Sequence, residues 1–136
     1  MKQKNIRWFM PRSQAAAIHC ILRGEEADFM REKLQHLQEV VDNMPVSYET
    51  QEQGGAAFAR LHYFRGGVDA WIVELDKGAP DDATEDYQSQ AWGMVDLGYG
   101  PEIGYVSIPE LLAAGMELDL YYKPQTLADI RRSRAA

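Results

Sequence analysis

Asp96 and Glu102 are the residues most suggestive of chemistry, because they flank the glycine-rich turn Leu97-Gly98-Tyr99-Gly100-Pro101. If they converge at one end of a sheet, they could hold a divalent cation or work as an acid–base pair. No His or Lys accompanies them, however, and an Asp at a strand end commonly accepts backbone hydrogen bonds in a turn. The turn-forming role is therefore the favoured one, with a small metal-binding or hydrolytic domain built on Asp96 and Glu102 kept as the alternative.

Other routes to catalysis are poorly supplied. His19, His36 and His62 lie far apart on three different elements, and no H-E-x-x-H or other i, i+4 ligand pair occurs. Cys20 is the only cysteine, which excludes an internal disulfide and the four-cysteine zinc patterns. It shares a helix face with Ala16, Ala17 and Ile21 and is expected to be a small buried hydrophobe. There is no G-x-S-x-G elbow and no P-loop. Gly98 and Gly100 lack the third glycine and the helix start of a phosphate cradle. Asp81, Asp82, Glu85 and Asp86 lack calcium-loop spacing. No catalytic residue, metal ligand or cofactor is assigned.

Contact residues are better supplied. Tyr99 sits between two glycines with little to pack on locally, which suits a contact role at a loop tip. Tyr87 sits similarly in an acidic stretch, whereas Trp71 and Trp92 fall on predicted strands as core. Glu117, Asp119 and Tyr121 alternate with Met116, Leu118, Leu120 and Tyr122, giving one half-buried strand with a wet acidic face. The candidate binding set is thus Asp96, Tyr99, Glu102, Glu117, Asp119 and Tyr121.

These residues need a scaffold, and the sequence outlines one. Ser13 can cap a short helix from about residue 14 to 22, with Gly24 ending it. A second helix runs from about 25 to 44. It carries an apolar stripe of Met30, Leu34, Leu37, Val41 and Met44, and Pro45 closes it. The stripe spans only about two heptads, so packing on a sheet is favoured over a coiled coil. Residues 47 to 55 read as a polar loop. Residues 57 to 65 and 68 to 75 read as strands joined by a Gly66-Gly67 hairpin turn. After a long acidic loop at 77 to 90, strands are expected at 91 to 97 and 103 to 106. Ser107 with Glu110 then forms a capping box for a helix at 108 to 114, followed by the strand at 116 to 122. Thr126 can cap a last helical turn, and residues 131 to 136 are expected to fray. The pattern is α+β: two N-terminal helices packed on a mostly antiparallel sheet of four to five strands, with one short helix inserted before the last strand. All 136 residues are read as one domain, with a helical part at 1 to 45 and a sheet part at 57 to 126.

Charge is distributed unevenly. The chain carries 14 Lys plus Arg against 21 Asp plus Glu, a formal −7. Residues 71 to 120 hold eleven acids and only Lys77, whereas residues 121 to 136 hold one acid and four bases. Such a surface argues against direct binding of nucleic-acid phosphates and suits a partner protein with a basic surface, or simple solubility. No segment approaches the roughly 18 apolar residues of a membrane span. The basic N-terminus followed by Ala15-Ala16-Ala17-Ile18-His19-Cys20 is too short and too polar for a signal peptide. A cytoplasmic location without membrane association is expected.

Within residues 57 to 126, several pieces resemble a bacterial domain family of unknown function found on plasmids, phages and integrative elements. They are Trp71 with Glu74 and Asp76; Val95-Asp96-Leu97-Gly98; Pro101 to Ser107 with Glu110-Leu111; and Asp119 to Pro124. Val95 stands where such sequences commonly carry cysteine, and the helical N-terminal part lies outside the resemblance. The resemblance implies a setting, accessory cargo of a mobile element, and no chemistry. The expected function is a non-enzymatic acidic binding protein, for example an inhibitor of a host defence system of the anti-CRISPR or anti-restriction kind. A homodimeric regulator joined through the long helix is a further alternative.

Overall fold

The computed structural model describes residues 4–77 and 90–135. Its elements run in the order α1 (Arg12–Ile21), α2 (Ala27–Asp42), β1 (Phe58–Ala59), β2 (Leu61–Arg65), β3 (Val68–Leu75), β4 (Gln90–Asp96), β5 (Pro101–Ser107), α3 (Ile108–Ala113), β6 (Glu117–Leu118), β7 (Gln125–Thr126) and α4 (Leu127–Ala135). Short 3₁₀ turns at Ile6–Phe9 and Gln51–Ala56 complete the set. The fold is α+β. Five strands form an antiparallel sheet in the order β5-β4-β3-β2-β6, and β1 pairs separately with β7.

The central strand dictates the layers. Residues 70 to 75 of β3 are all buried. Successive side chains on a strand point to opposite faces, so both faces of the sheet must be covered. On one face Leu61, Tyr63, Ala70, Ile72 and Leu75 meet Ile18 of α1, Met30, Leu37 and Val41 of α2, and Met44 just beyond it. The α2 stripe therefore packs on its own sheet, as its short length implied. On the other face Trp71, Val73 and Met94 meet Ala57, Ala59 and, from α4, Leu127 and Ile130. An irregularity in register between Ile72 and Glu74 accompanies this double burial. Opposite it, β4 carries Gly93, where a Cβ would collide with the Trp71 carbonyl.

Several local expectations need correction. Helix α1 begins at Arg12 behind Pro11, and no side-chain cap from Ser13 forms. Its buried residue is Ile18, so Cys20 faces outward and is exposed. The strand expected from 57 to 65 breaks at Arg60, whose N–H donates to the Ile72 carbonyl while β1 turns away to pair with β7. The strand expected from 116 to 122 stops after Leu118. The Asp119 carboxylate accepts from the Tyr121 N–H and folds the chain into a turn. Residues 131 to 135, expected to fray, belong to α4, anchored by buried Leu127 and Ile130 and capped by Thr126, whose hydroxyl accepts from the Asp129 N–H at 3.2 Å. The Ser107 cap formed as expected, its hydroxyl accepting from the Glu110 N–H. The acidic residues Asp81, Asp82, Glu85 and Asp86, with Tyr87, lie outside the described residues.

Two outcomes test this packing. Ile130→Ala should lower unfolding free energy by about 2–5 kcal/mol in urea, whereas a change below about 0.5 kcal/mol would mean that α4 does not anchor the second layer. Tyr63 gives the other. It is fully buried and donates to the Phe9 carbonyl at 2.5 Å, and burial pushes its ionisation well above the ordinary value. The unfolded phenol ionises near pH 10 while the folded one stays neutral. The stability that depends on this neutral phenol is whole below pH 10 and declines as pH rises above it. Tyr63→Phe should make the fall in stability between pH 10 and 12 shallower, and an unchanged slope would contradict the assignment.

Candidate functional site

The strand register separates Asp96 from Glu102. Val95 pairs with Glu102, and Asp96 pairs with Pro101. Directly opposed residues share a face, so Asp96 and Glu102 point to opposite sides of the sheet. Asp96 is buried, and its Oδ1 accepts from the N–H groups of Gly98 at 2.8 Å and Gly100 at 3.2 Å. Gly98 and Gly100 both have positive φ, 105° and 110°, a backbone shape that favours glycine. Asp96 therefore folds the turn that holds Tyr99 out into solvent, 96% exposed. Among the described residues no group of three or more His, Cys, Asp or Glu is placed to hold a metal ion.

Asp119 is drawn into a different assembly. His62 on β2 faces Asp119 Oδ2 through Nδ1 at 2.9 Å and Asp69 Oδ1 through Nε2 at 2.8 Å. Arg134 of α4 donates to the other oxygen of Asp69, approaches Asp96 at 3.8 Å and lies over the Trp71 ring. The His62 ring also stacks on Phe64 and Trp71 and tilts against Tyr122. Both ring nitrogens face carboxylate oxygens, so neither is left open as a base or a metal ligand. The chain Asp119–His62–Asp69–Arg134 fastens α4 and the β6–β7 turn to the sheet. Asp119, named above as a candidate contact residue, thus also has a fastening role. Tyr121 stacks on Phe29 with Lys33 over its ring and is itself 61% exposed. Glu117 and Glu102 remain exposed.

The concave site that sequence reasoning missed lies nearer the edge of the sheet. Glu74, Trp92 and Tyr105 pair across β3, β4 and β5 and so share one row on the α4 face. Tyr48 joins them from the segment that carries the chain from α2 around the sheet end. Together with Gln51 they line a cavity of about 200 Å³. Glu74 is the only buried acid in this row, and three donors hold it. Oε1 accepts from the Tyr48 N–H at 2.8 Å, and Oε2 accepts from the Thr50 N–H at 2.9 Å and the Thr50 hydroxyl at 2.5 Å. The Tyr105 hydroxyl donates to that of Tyr48 at 2.8 Å. This bond, more than desolvation or the charge of Glu74, raises the Tyr105 ionisation. Tyr48 has φ 71°, the one non-glycine residue described with positive φ, a conformation that L-residues disfavour. The hint in the sequence was Glu74 itself, a carboxylate inside the buried run Trp71-Ile72-Val73-Glu74-Leu75.

Beside this cavity runs the sheet edge. β5 is the outermost strand, so one side of its backbone has no partner strand among the described residues. Ile103 and Tyr105 are exposed along it, and Leu97 and Tyr99 are exposed at the adjoining turn. Compared with known proteins, the chain matches no family model, no curated protein and no solved structure.

The fastening role of His62 makes a measurable claim. His62→Ala and Arg134→Ala both act through Asp69, so their effects on urea stability should be non-additive by about 0.5–3 kcal/mol in a double-mutant cycle. Additivity within about 0.3 kcal/mol would show that the chain is not one unit.

Proposed function

We propose that this protein is a non-enzymatic binding module that docks an extended, basic segment of a partner protein along the β5 edge. The observation that carries this reading is the exposed apolar border Leu97, Tyr99, Ile103 and Tyr105 along β5, whose outer side has no partner strand among the described residues. Folded proteins usually blunt such an edge with charge, proline or a covering element, because it templates strand addition. Among the described residues, Pro101 and Glu102 are the ones on β5 that do so, at one end of the strand. An added strand would gain main-chain hydrogen bonds from the edge, while side-chain contacts would supply selectivity. Net −7 for the chain, and Glu102 on the strand itself, favour a basic occupant.

The resemblance of Pro101 to Ser107 and its flanks to mobile-element sequences supports a biological setting for such a module. The reading is of a stoichiometric inhibitor that occupies a basic surface on a host defence complex, of the anti-CRISPR or anti-restriction kind. Among the described residues no helix is long and apolar enough to cross a membrane, and we place the protein's work in the cytoplasm. The alternative chemistry through Asp96 and Glu102 loses its geometric basis, since the two side chains lie on opposite faces.

A photo-crosslinking residue placed at Tyr99 or Ile103 should give adducts of discrete mass in bacterial cells, competed by excess unmodified protein. The same residue at Phe29, an exposed position on α2, should give none of those masses. Adducts at Phe29 alone, or identical patterns at all three positions, would contradict docking at this edge.

A further inference from the structure

We infer that the cavity formed by Tyr48, Trp92, Tyr105 and Glu74 is an ammonium-binding pocket that takes the lysine side chain, free or methylated, of the docked segment. This deepens the binding-module reading and rests on it.

Three properties of the pocket select a cation. The first is composition. Three of its five lining residues are aromatic, and aromatic faces attract cations through the ring quadrupole. Among the described residues, none of these three rings stacks on another ring or carries a cation, unlike Trp71 under Arg134 or Tyr121 under Lys33. The second is charge. Glu74 is 4% exposed, and no Lys, Arg or His among the described residues forms an ion pair with it. A carboxylate out of water and held only by neutral donors gains most from a cation brought to it. The nearby Lys77 is turned elsewhere, donating to the carbonyls of Asp42 and Met44 at 2.9 Å each. The third is access. Tyr48 and Tyr105 are 67% and 57% exposed, so the walls stand open to solvent above the buried acid.

The same bonds select ammonium over guanidinium. A carboxylate offers about four acceptor positions. Oε2 already accepts two hydrogen bonds and Oε1 accepts one. One position on one oxygen remains. A guanidinium fork needs both oxygens for its paired bonds, whereas an ammonium is satisfied at a single point. The location fits the proposed docking as well. Tyr105 belongs to β5, so a side chain from a strand laid on that edge has the pocket within reach. The left-handed backbone of Tyr48 is then the local cost of closing the fourth wall.

The test is an NMR titration of the full chain, followed at the Trp92 indole N–H. The probes are N-acetyl-lysine methylamide, its trimethyl-lysine counterpart and N-acetyl-arginine methylamide. Either lysine probe should shift the resonance saturably at millimolar concentration, and the arginine probe should bind several-fold more weakly. Tyr105→Ala, a change at an exposed side chain, should weaken lysine binding by about 3-fold or more with the amide spectrum otherwise retained. Glu74→Gln should do the same. If that variant does not fold, the Tyr105→Ala comparison decides. No saturable shift with the lysine probes, tighter binding of arginine, or equal affinity in Tyr105→Ala would overturn the pocket. Such a failure alongside discrete crosslinks at Tyr99 would remove the lysine anchor and leave edge docking standing. Failure of both would remove both.

Discussion

Everything in this molecule follows from the burial of β3 on both faces. A strand with six successive buried residues, 70 to 75, cannot be covered by one layer. The chain must pack helices on one side, travel round the end of the sheet, and return on the other. The crossing is made by Tyr48 to Thr50, and it is fastened where Glu74 receives the N–H groups of both Tyr48 and Thr50. A carboxylate near the end of a buried strand would be costly without such partners. Glu74 thus answers a structural need. It also leaves a desolvated negative charge at the floor of an aromatic cavity, so the structural solution and the proposed binding site are the same interaction seen from two sides.

The second layer depends on a polar fastening of a different kind. Leu127 and Ile130 supply the apolar contact of α4, but a nine-residue helix with two buried side chains is marginal alone. Arg134 extends its hold to Asp69, and through Asp69 to His62 and Asp119. Much of the negative charge on this face is therefore internally paired. At the proposed β5 border, by contrast, Glu102 is exposed and Tyr99 projects. The acidic stretch is not one unit: within it Asp96 and Asp119 organise the fold, as Asp69 does just before it, while Glu102 and Glu117 face solvent.

Much of this architecture was legible in the residues. The Met30, Leu37 and Val41 stripe, the Gly66-Gly67 turn and the Ser107 cap are local patterns, and local patterns survive folding. Asp96 as a turn-former and Tyr99 as an exposed tip were also readable, because Asp-x-Gly-x-Gly specifies its own hydrogen bonds. What was hidden depends on contacts distant in sequence. Tyr48 and Glu74 are 26 residues apart, and His62 and Asp119 are 57 apart. Cys20 was misplaced because the short helix α1 docks through Ile18, which turns the cysteine outward. The last strand was overextended because alternation continued past Asp119, where an Asx turn competes with pairing. The C-terminal helix, expected as one turn capped by Thr126, was read too short because Leu127 and Ile130 are two apolar residues, too few to reveal a buried face before the opposite surface is known.

The central claim is that one lysine of a docked strand sits between Tyr48 and Tyr105 over Glu74. Its most direct test is a half-filtered nuclear Overhauser experiment on the labelled protein bound to an unlabelled extended peptide with a single central lysine. The account predicts cross-peaks from the lysine ε-protons to the rings of Tyr48, Trp92 and Tyr105, together with backbone contacts along residues 101 to 107. Cross-peaks from that lysine only to Glu117, or to the region of Asp69 and Asp96, would contradict it.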